Sequence, residues 1–249
     1  MTWLLDLDGV VWRAERALPG APEAIGRLRQ QGQRVVFVTN NSSGTVGEYL
    51  AKLDWLGIPT DAADLLTSAQ AAAAMLEPGS TALVCAGPGV HEALDRRGVR
   101  TVLDGDADVV VVGWHRDFNY ARLTAAFLAV DRGARLLGTN DDATYPMEGG
   151  LVPGGGAILA AVAFAAGVAP EVAGKPHEPM AALVAGRAPD ARIMVGDRSS
   201  TDGLLARRLG VPFALVLSGV TGPGDLPVDP EPDEVAADLQ ALVAQKFGL

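Results

Sequence analysis

The chain holds one cysteine and three histidines, so no intrachain disulfide can form and no spaced His and Cys set offers a soft-metal site. Cys85 lies inside the apolar run Ala82-Leu83-Val84-Cys85-Ala86, where it reads as a small buried hydrophobe rather than a nucleophile. Lysine and arginine never gather into a block, and the formal charge is −10. That balance excludes nucleic acid or an anionic membrane as the main partner. No apolar stretch reaches the roughly 18 residues of a membrane span, because even 151–169 is broken by Pro153 and several glycines. The first residues run straight into a strand pattern with no basic region, short apolar segment and cleavage site, so a cytoplasmic setting is expected. No internal repeat is found. Against these absences, 49% of the 249 residues are hydrophobic, enough for one large domain or two modest ones.

Short β-branched runs alternate with longer helical patterns, which predicts a parallel α/β architecture. Strands are expected at 3–7, 34–38, 81–85, 108–112, 135–138, 192–196 and 212–217. Helices are expected near 21–31, 45–56, 67–77, 119–132, 153–167, 178–186, 200–208 and 233–246, with Pro22 and Pro153 in first turns. The Gly-, Pro- and Asp-rich stretch 219–232 reads as a surface connection.

Four polar clusters sit after these runs: Asp6 with Asp8, Thr39-Asn40-Asn41-Ser42, Gly174-Lys175-Pro176, and Gly196-Asp197 with Asp202. Ligands of open parallel sheets bind at the carboxyl ends of strands, so all four can converge on one crevice. The approach to the lysine cluster is the weakest strand signal of the four. Alternation puts Asp6 and Asp8 on one side of the first strand's end, where two carboxylates repel unless a cation joins them. Oxygen-only ligands favour magnesium.

Taken as one site, these residues can transfer a phosphoryl group. Asp6 would attack phosphorus and form an acyl phosphate that water then hydrolyses. Asp8 would protonate the leaving alkoxide and later deprotonate the water. Magnesium held by Asp6, Asp197 and a carbonyl at Asp8, with Lys175 as a second cation, would offset the meeting of two anions. The Thr39 hydroxyl and the Asn40 amide would hold phosphoryl oxygens. Each cluster also has a plain structural reading: Thr39–Ser43 as a turn and helix cap, Lys175 as a solvated lysine, Gly196-Asp197 as a strand-ending turn, Asp202 as a helix cap.

These motifs resemble the haloacid dehalogenase superfamily of phosphohydrolases, in particular the type IIA branch of 4-nitrophenylphosphatase-like enzymes. The carriers are Asp6-Leu7-Asp8-Gly9-Val10, Val38-Thr39-Asn40-Asn41-Ser42, Gly174-Lys175-Pro176 and Gly196-Asp197-Arg198-Ser199-Ser200-Thr201-Asp202. Further likeness lies in Thr139–Pro146 and Pro153–Ile158, so the resemblance spans nearly the whole chain in family order.

The resemblance implies a Rossmann-like doubly wound parallel core of residues 1–77 and 173–249, with an α/β type II cap inserted at 78–172. It implies Asp6 as nucleophile and Asp8 as general acid and base, with Thr39 and Lys175 on phosphate. Asp6, Asp8 and Asp197 would bind magnesium, and Asp202 would orient the metal shell. The substrate implied is a small phosphorylated metabolite, and a dimer contact through the cap is a feature of related proteins. Where the family reads Thr-Asn-Pro-Asp, this chain has Thr139-Asn140-Asp141-Asp142, a departure expected to touch no catalytic position. In the cap, Trp114 and His115 follow a strand and are candidate contacts to the leaving group, with His115 equally readable as a polar loop residue.

Other readings remain in view at this level. A phosphotransferase or phosphomutase would differ only in the acceptor. A receiver-like domain shares the aspartates, the hydroxyl residue and the lysine, but needs about half this length. Cys85-Ala86-Gly87-Pro88-Gly89-Val90 resembles a dinucleotide loop, yet Glu92 stands where the third glycine belongs.

Overall fold

The computed structural model describes residues 1–147 and 149–248. Two parallel sheets organise it. The first runs Glu234–Ala236, Phe213–Val216, Ala191–Gly196, Thr2–Leu5, Arg34–Thr39, Leu65–Thr67 in spatial order. The second runs Glu171–Val172, Arg135–Gly138, Val109–Val112, Thr81–Cys85, Arg100–Val102. In the first sheet the chain leaves the central strand Thr2–Leu5 toward one edge and later returns to build the other. That reversal opens a crevice at the carboxyl ends of Thr2–Leu5 and its two neighbours.

Strand alternation decides the layers. Trp3 and Leu5 face one side of the first sheet and pack with the helices Ala21–Gln30, Val46–Trp55 and Leu239–Phe247. Leu4, Val36 and Val38 face the other side and join a cluster that continues through helix Ser68–Ala74 to Ala82, Val84, Val109, Val111 and Leu137 of the second sheet. Helices Tyr120–Asp131 and Gly155–Ala166 cover the second sheet's far face. Both sheets are therefore buried on both faces, which is why their strands read as continuous apolar runs.

The expected long strands and most helices lie where the patterning placed them. Three departures have physical causes. Helix Pro88–Arg96 went unread because Gly87 and Gly89 suggest a loop; Pro88 in fact occupies its first turn. The glycine there serves packing, since a Cβ at Gly89 would lie 2.0 Å from the Gly44 carbonyl oxygen. Glu92 on the same helix accepts from the Val46 N–H at 2.7 Å, so the dinucleotide-like loop is a dock onto residues 42–46. The helical stretch expected at 233–246 splits into an edge strand, Glu234–Ala236, and the helix Leu239–Phe247, started by Asp238 as N-cap. The pair Thr144–Met147 and Gly150–Pro153, not expected as strands, forms an antiparallel hairpin.

Substituting Gly89→Ala drives a methyl into the 42–44 loop and should lower stability by about 1–3 kcal/mol, measured as a drop in thermal midpoint.

Candidate active site

Asp6 sits one residue past the central strand, and its N–H still donates to Val195 O at 2.9 Å, so strand pairing holds the residue in place. Its carboxylate accepts from Lys175 Nζ at 2.8 Å. The same ammonium donates to Asp202 Oδ1 at 2.7 Å and to Val38 O at 3.0 Å, which uses all three of its protons. Lys175 is only 2% exposed and Asp202 fully buried. Gly174-Lys175 follows Glu171–Val172 at the edge of the second sheet, so the lysine enters the first sheet's crevice from its neighbour. Asp202 does not cap a helix. Segment Ser199–Gly203 winds as a π-turn ahead of Leu204–Leu209 and turns this carboxylate inward.

Asp197 ends the strand Ala191–Gly196, and its Oδ2 accepts from Val220 N–H at 2.6 Å. Gly9, at φ 87°, makes room for it, because a Cβ there would lie 2.4 Å from Asp197 Oδ2. Asp8 is half-buried and accepts from Trp12 Nε1 at 3.1 Å. Thr39 closes its strand with its hydroxyl accepting from Asn41 N–H at 3.1 Å.

Asp6, Asp8, Thr39, Lys175 and Asp197 line a cavity of about 50 Å³ together with Asn41, Asp142, Tyr145 and Arg198. Asp8, Asp197 and Val220 also line a second cavity of about 380 Å³, shared with Arg13, Met147 and Leu151. Asn41 and Tyr145 connect the small cavity to a third, of about 450 Å³, lined by Trp114, Arg116 and Lys52. Tyr145, on the hairpin, accepts from Asn41 Nδ2 at 2.8 Å and lines both the small cavity and the third.

Two expectations need correction. The Asn40 side-chain amide is spent within the protein: Nδ2 donates to Asp142 Oδ2 and Lys175 O, and Oδ1 accepts from Lys175 N–H at 2.7 Å. Only its backbone N–H is left for a phosphoryl oxygen. His115 lines none of these cavities; it is buried against Phe118, with Nδ1 2.9 Å from Gly113 O. Trp114 does reach the third cavity, its ring tilted at 34° against Tyr145 with centroids 4.7 Å apart. At the departure from Thr-Asn-Pro-Asp, Asp141 lines none of these cavities and meets His177 at 3.0 Å, whereas Asp142, which keeps the family's residue, lines the small cavity and anchors Asn40.

The electrostatics call for a cation. Asp6, Asp197 and Asp202 offer carboxylate oxygens within 4.8 Å of one another, with one buried ammonium among them. Burial, then repulsion from Asp6, pushes the Asp8 carboxyl up to about 6. Asp197 is raised by burial and by Asp6 and Asp202. Asp202 is also raised, as its burial outweighs the pull of Lys175. Lys175 moves upward: burial alone lowers it, but Asp202 and Asp6 prevail. In the same loop Ser199 Oγ is buried without a hydrogen-bond partner among the described residues. An all-oxygen, over-acidic donor set fits a hard divalent cation such as magnesium.

A nucleophile-ready carboxylate, a cation-demanding acidic cluster and a small polar cavity at a sheet's switch point define a phosphoryl-transfer hydrolase site. Residues 3–100 match the family of haloacid dehalogenase-like hydrolases, and residues 172–242 match a second HAD-hydrolase-like model. A glycerol-3-phosphate phosphatase of Gallus gallus is 38% identical, over 88% of this chain and 80% of the relative. A glycerol phosphate phosphatase from Mycobacterium tuberculosis, solved in complex with magnesium, superposes at a TM-score of 0.89 with 34% identity, covering 97% of this chain and 75% of that one. A p-nitrophenyl phosphatase from Archaeoglobus fulgidus superposes at 0.90 with 28% identity, covering 98% of each chain. The chain belongs to the haloacid dehalogenase-like hydrolases.

Between pH 3.8 and about 6, Asp8 is protonated when folded and ionised when unfolded. The folded state then holds more protons, so stability falls as pH rises through that window. Thermal unfolding in chelator should show this fall, and Asp8→Asn should make it shallower, with Asp197 and Asp202 carrying the rest.

Proposed function

We propose that this chain is a magnesium-dependent phosphatase that releases small polyols from their phosphate monoesters through a phospho-Asp6 intermediate. One observation carries the reading: Asp6 is held by Lys175 at the floor of a cavity of phosphoryl size, with Asp8 at its rim. Domain division follows the sheets, with the first in a core of residues 1–77 and 173–249 and the second in a cap of residues 78–172.

In the first step an Asp6 oxygen forms a bond to phosphorus while the phosphorus–ester oxygen bond breaks. The electron pair stays on the leaving oxygen, which takes the Asp8 proton and departs as an alcohol. In the second step Asp8, now a carboxylate, takes a proton from water as its oxygen attacks phosphorus. Asp6 is released and inorganic phosphate forms. Thr39 Oγ and the backbone N–H of Asn40 hold phosphoryl oxygens. Lys175 orients Asp6 and keeps positive charge beside it throughout. Asp6, Asp197 and the Asp8 carbonyl would hold magnesium, which supplies positive charge to the crowded oxygens, and Asp202 would orient that shell.

The substrate class rests on the lining and on the relatives. Beyond the phosphoryl cavity, the space beside Asp8 is lined by Arg13 as well as apolar Met147 and Leu151, which suits a short polyol chain. Named relatives act on glycerol phosphate.

A panel of phosphate monoesters assayed with magnesium and with chelator tests this. Magnesium-dependent release, highest for glycerol phosphate, is the expected result, and equal yields of phosphate and alcohol would separate hydrolysis from transfer to another hydroxyl. Asp6→Asn should reduce release to background without unfolding the chain. Asp197→Asn should raise the magnesium concentration for half-maximal rate by about tenfold or more, with a far smaller effect on the metal-free melting midpoint.

A further inference from the structure

A buried indole N–H needs an acceptor, and the acceptor it finds decides what that group can do. Trp12 is 1% exposed, and its Nε1–H donates to Asp8 Oδ1 at 3.1 Å. Among the described residues it is the only hydrogen-bond donor to the Asp8 side chain. The indole cannot swing away. Its backbone closes a turn on the catalytic strand, with Trp12 N–H donating to Leu7 O at 3.1 Å and Gly9 N–H to Trp12 O at 2.8 Å. The Tyr49 ring lies parallel to it at 3° and 6.5 Å. Lys52 Nζ stands 4.4 Å from the ring centroid, tethered at 2.6 Å to Ala14 O. A cation over the ring draws electron density from it and strengthens the N–H as a donor.

We propose that Trp12 is the positioning residue of the general acid: its indole N–H holds Asp8 Oδ1 as an acceptor, so the catalytic proton is carried on Oδ2 and the carboxyl is locked in one orientation. The inference rests on the reading of Asp8 as general acid. An N–H donor has no lone pair to offer, so the oxygen it binds is the carbonyl-type oxygen of the acid, and the hydroxyl is left to the other. Without that bond, no other hydrogen bond among the described residues fixes the rotation of the Asp8 carboxyl, and its proton is delivered from a mixture of positions.

The distinguishing readout is leaving-group dependence. An alkoxide needs a proton to depart, whereas a nitrophenolate does not. kcat/KM reports the steps through the first irreversible one, which includes loss of the leaving group and excludes hydrolysis of the phospho-enzyme. Replacing Trp12 site-specifically with 3-benzothienylalanine keeps the bicyclic shape and removes only the N–H. W12F provides a second variant, and both are checked by thermal unfolding and circular dichroism. In the benzothienyl variant, kcat/KM for glycerol phosphate should fall about tenfold or more, and that for p-nitrophenyl phosphate by no more than about threefold. Asp8→Asn, measured alongside, should give the same split more strongly, about 100-fold for the alkyl ester. If Asp8→Asn shows the split and the Trp12 variants lower both substrates equally or neither, the positioning role is overturned while Asp8 keeps its assignment. If Asp8→Asn itself shows no split, the underlying reading of Asp8 fails.

Discussion

One buried ammonium organises the catalytic centre. Lys175 satisfies Asp6, Asp202 and the Val38 carbonyl, and so ties together the ends of the central strand, the strand beside it and the π-turn after a third. A charge at that depth persists only because its partners repay desolvation, and each carboxylate needs the lysine as much as the lysine needs them. The arrangement still leaves more negative than positive charge, with Asp197 and Asp8 close by. Excess charge of that kind makes a divalent cation part of the site's own stability, since binding energy gained there is released into the folded state.

The second sheet does more than roof the crevice. Its apolar face shares a continuous cluster with the first sheet through the small residues of Ser68–Ala74, and helix Pro88–Arg96 docks on the 42–46 loop beside Thr39 and Asn40. On the open side the joints are polar: Asn40 to Asp142, Asn41 to Tyr145, Ser42 to Thr139. The reacting atoms are therefore enclosed by polar joints that are themselves buried or half-buried, while the opposite side is packed with apolar groups.

Much of the site was legible because parallel α/β sheets place chemistry at strand ends. Asp6, Thr39 and Asp197 each follow an apolar run, and Asp8 follows Asp6 by one strand period. The roles of Asn40, His115 and Asp142 were not legible. Asn40 has the composition of a phosphate-binding amide, yet its bonds go to residues 102 and 135 positions away. His115 follows a strand as an active-site residue would, but its ring is turned into the second sheet's apolar layer. Trp12 carried no local sign of its bond to Asp8, because an indole at that spacing reads as core.

By itself, the sequence determined the class of architecture, the order of motifs and the carboxylate chemistry, since these depend on periodicity and on residue types at short spacing. Only the tertiary structure decided which donor meets which acceptor. Lys175 spends its protons on Asp6, Asp202 and the Val38 carbonyl, Asp142 reaches in from the second sheet, and Trp12 donates to Asp8. The reason is that hydrogen bonds act over about 3 Å, while Lys175 and Asp6 are 169 positions apart.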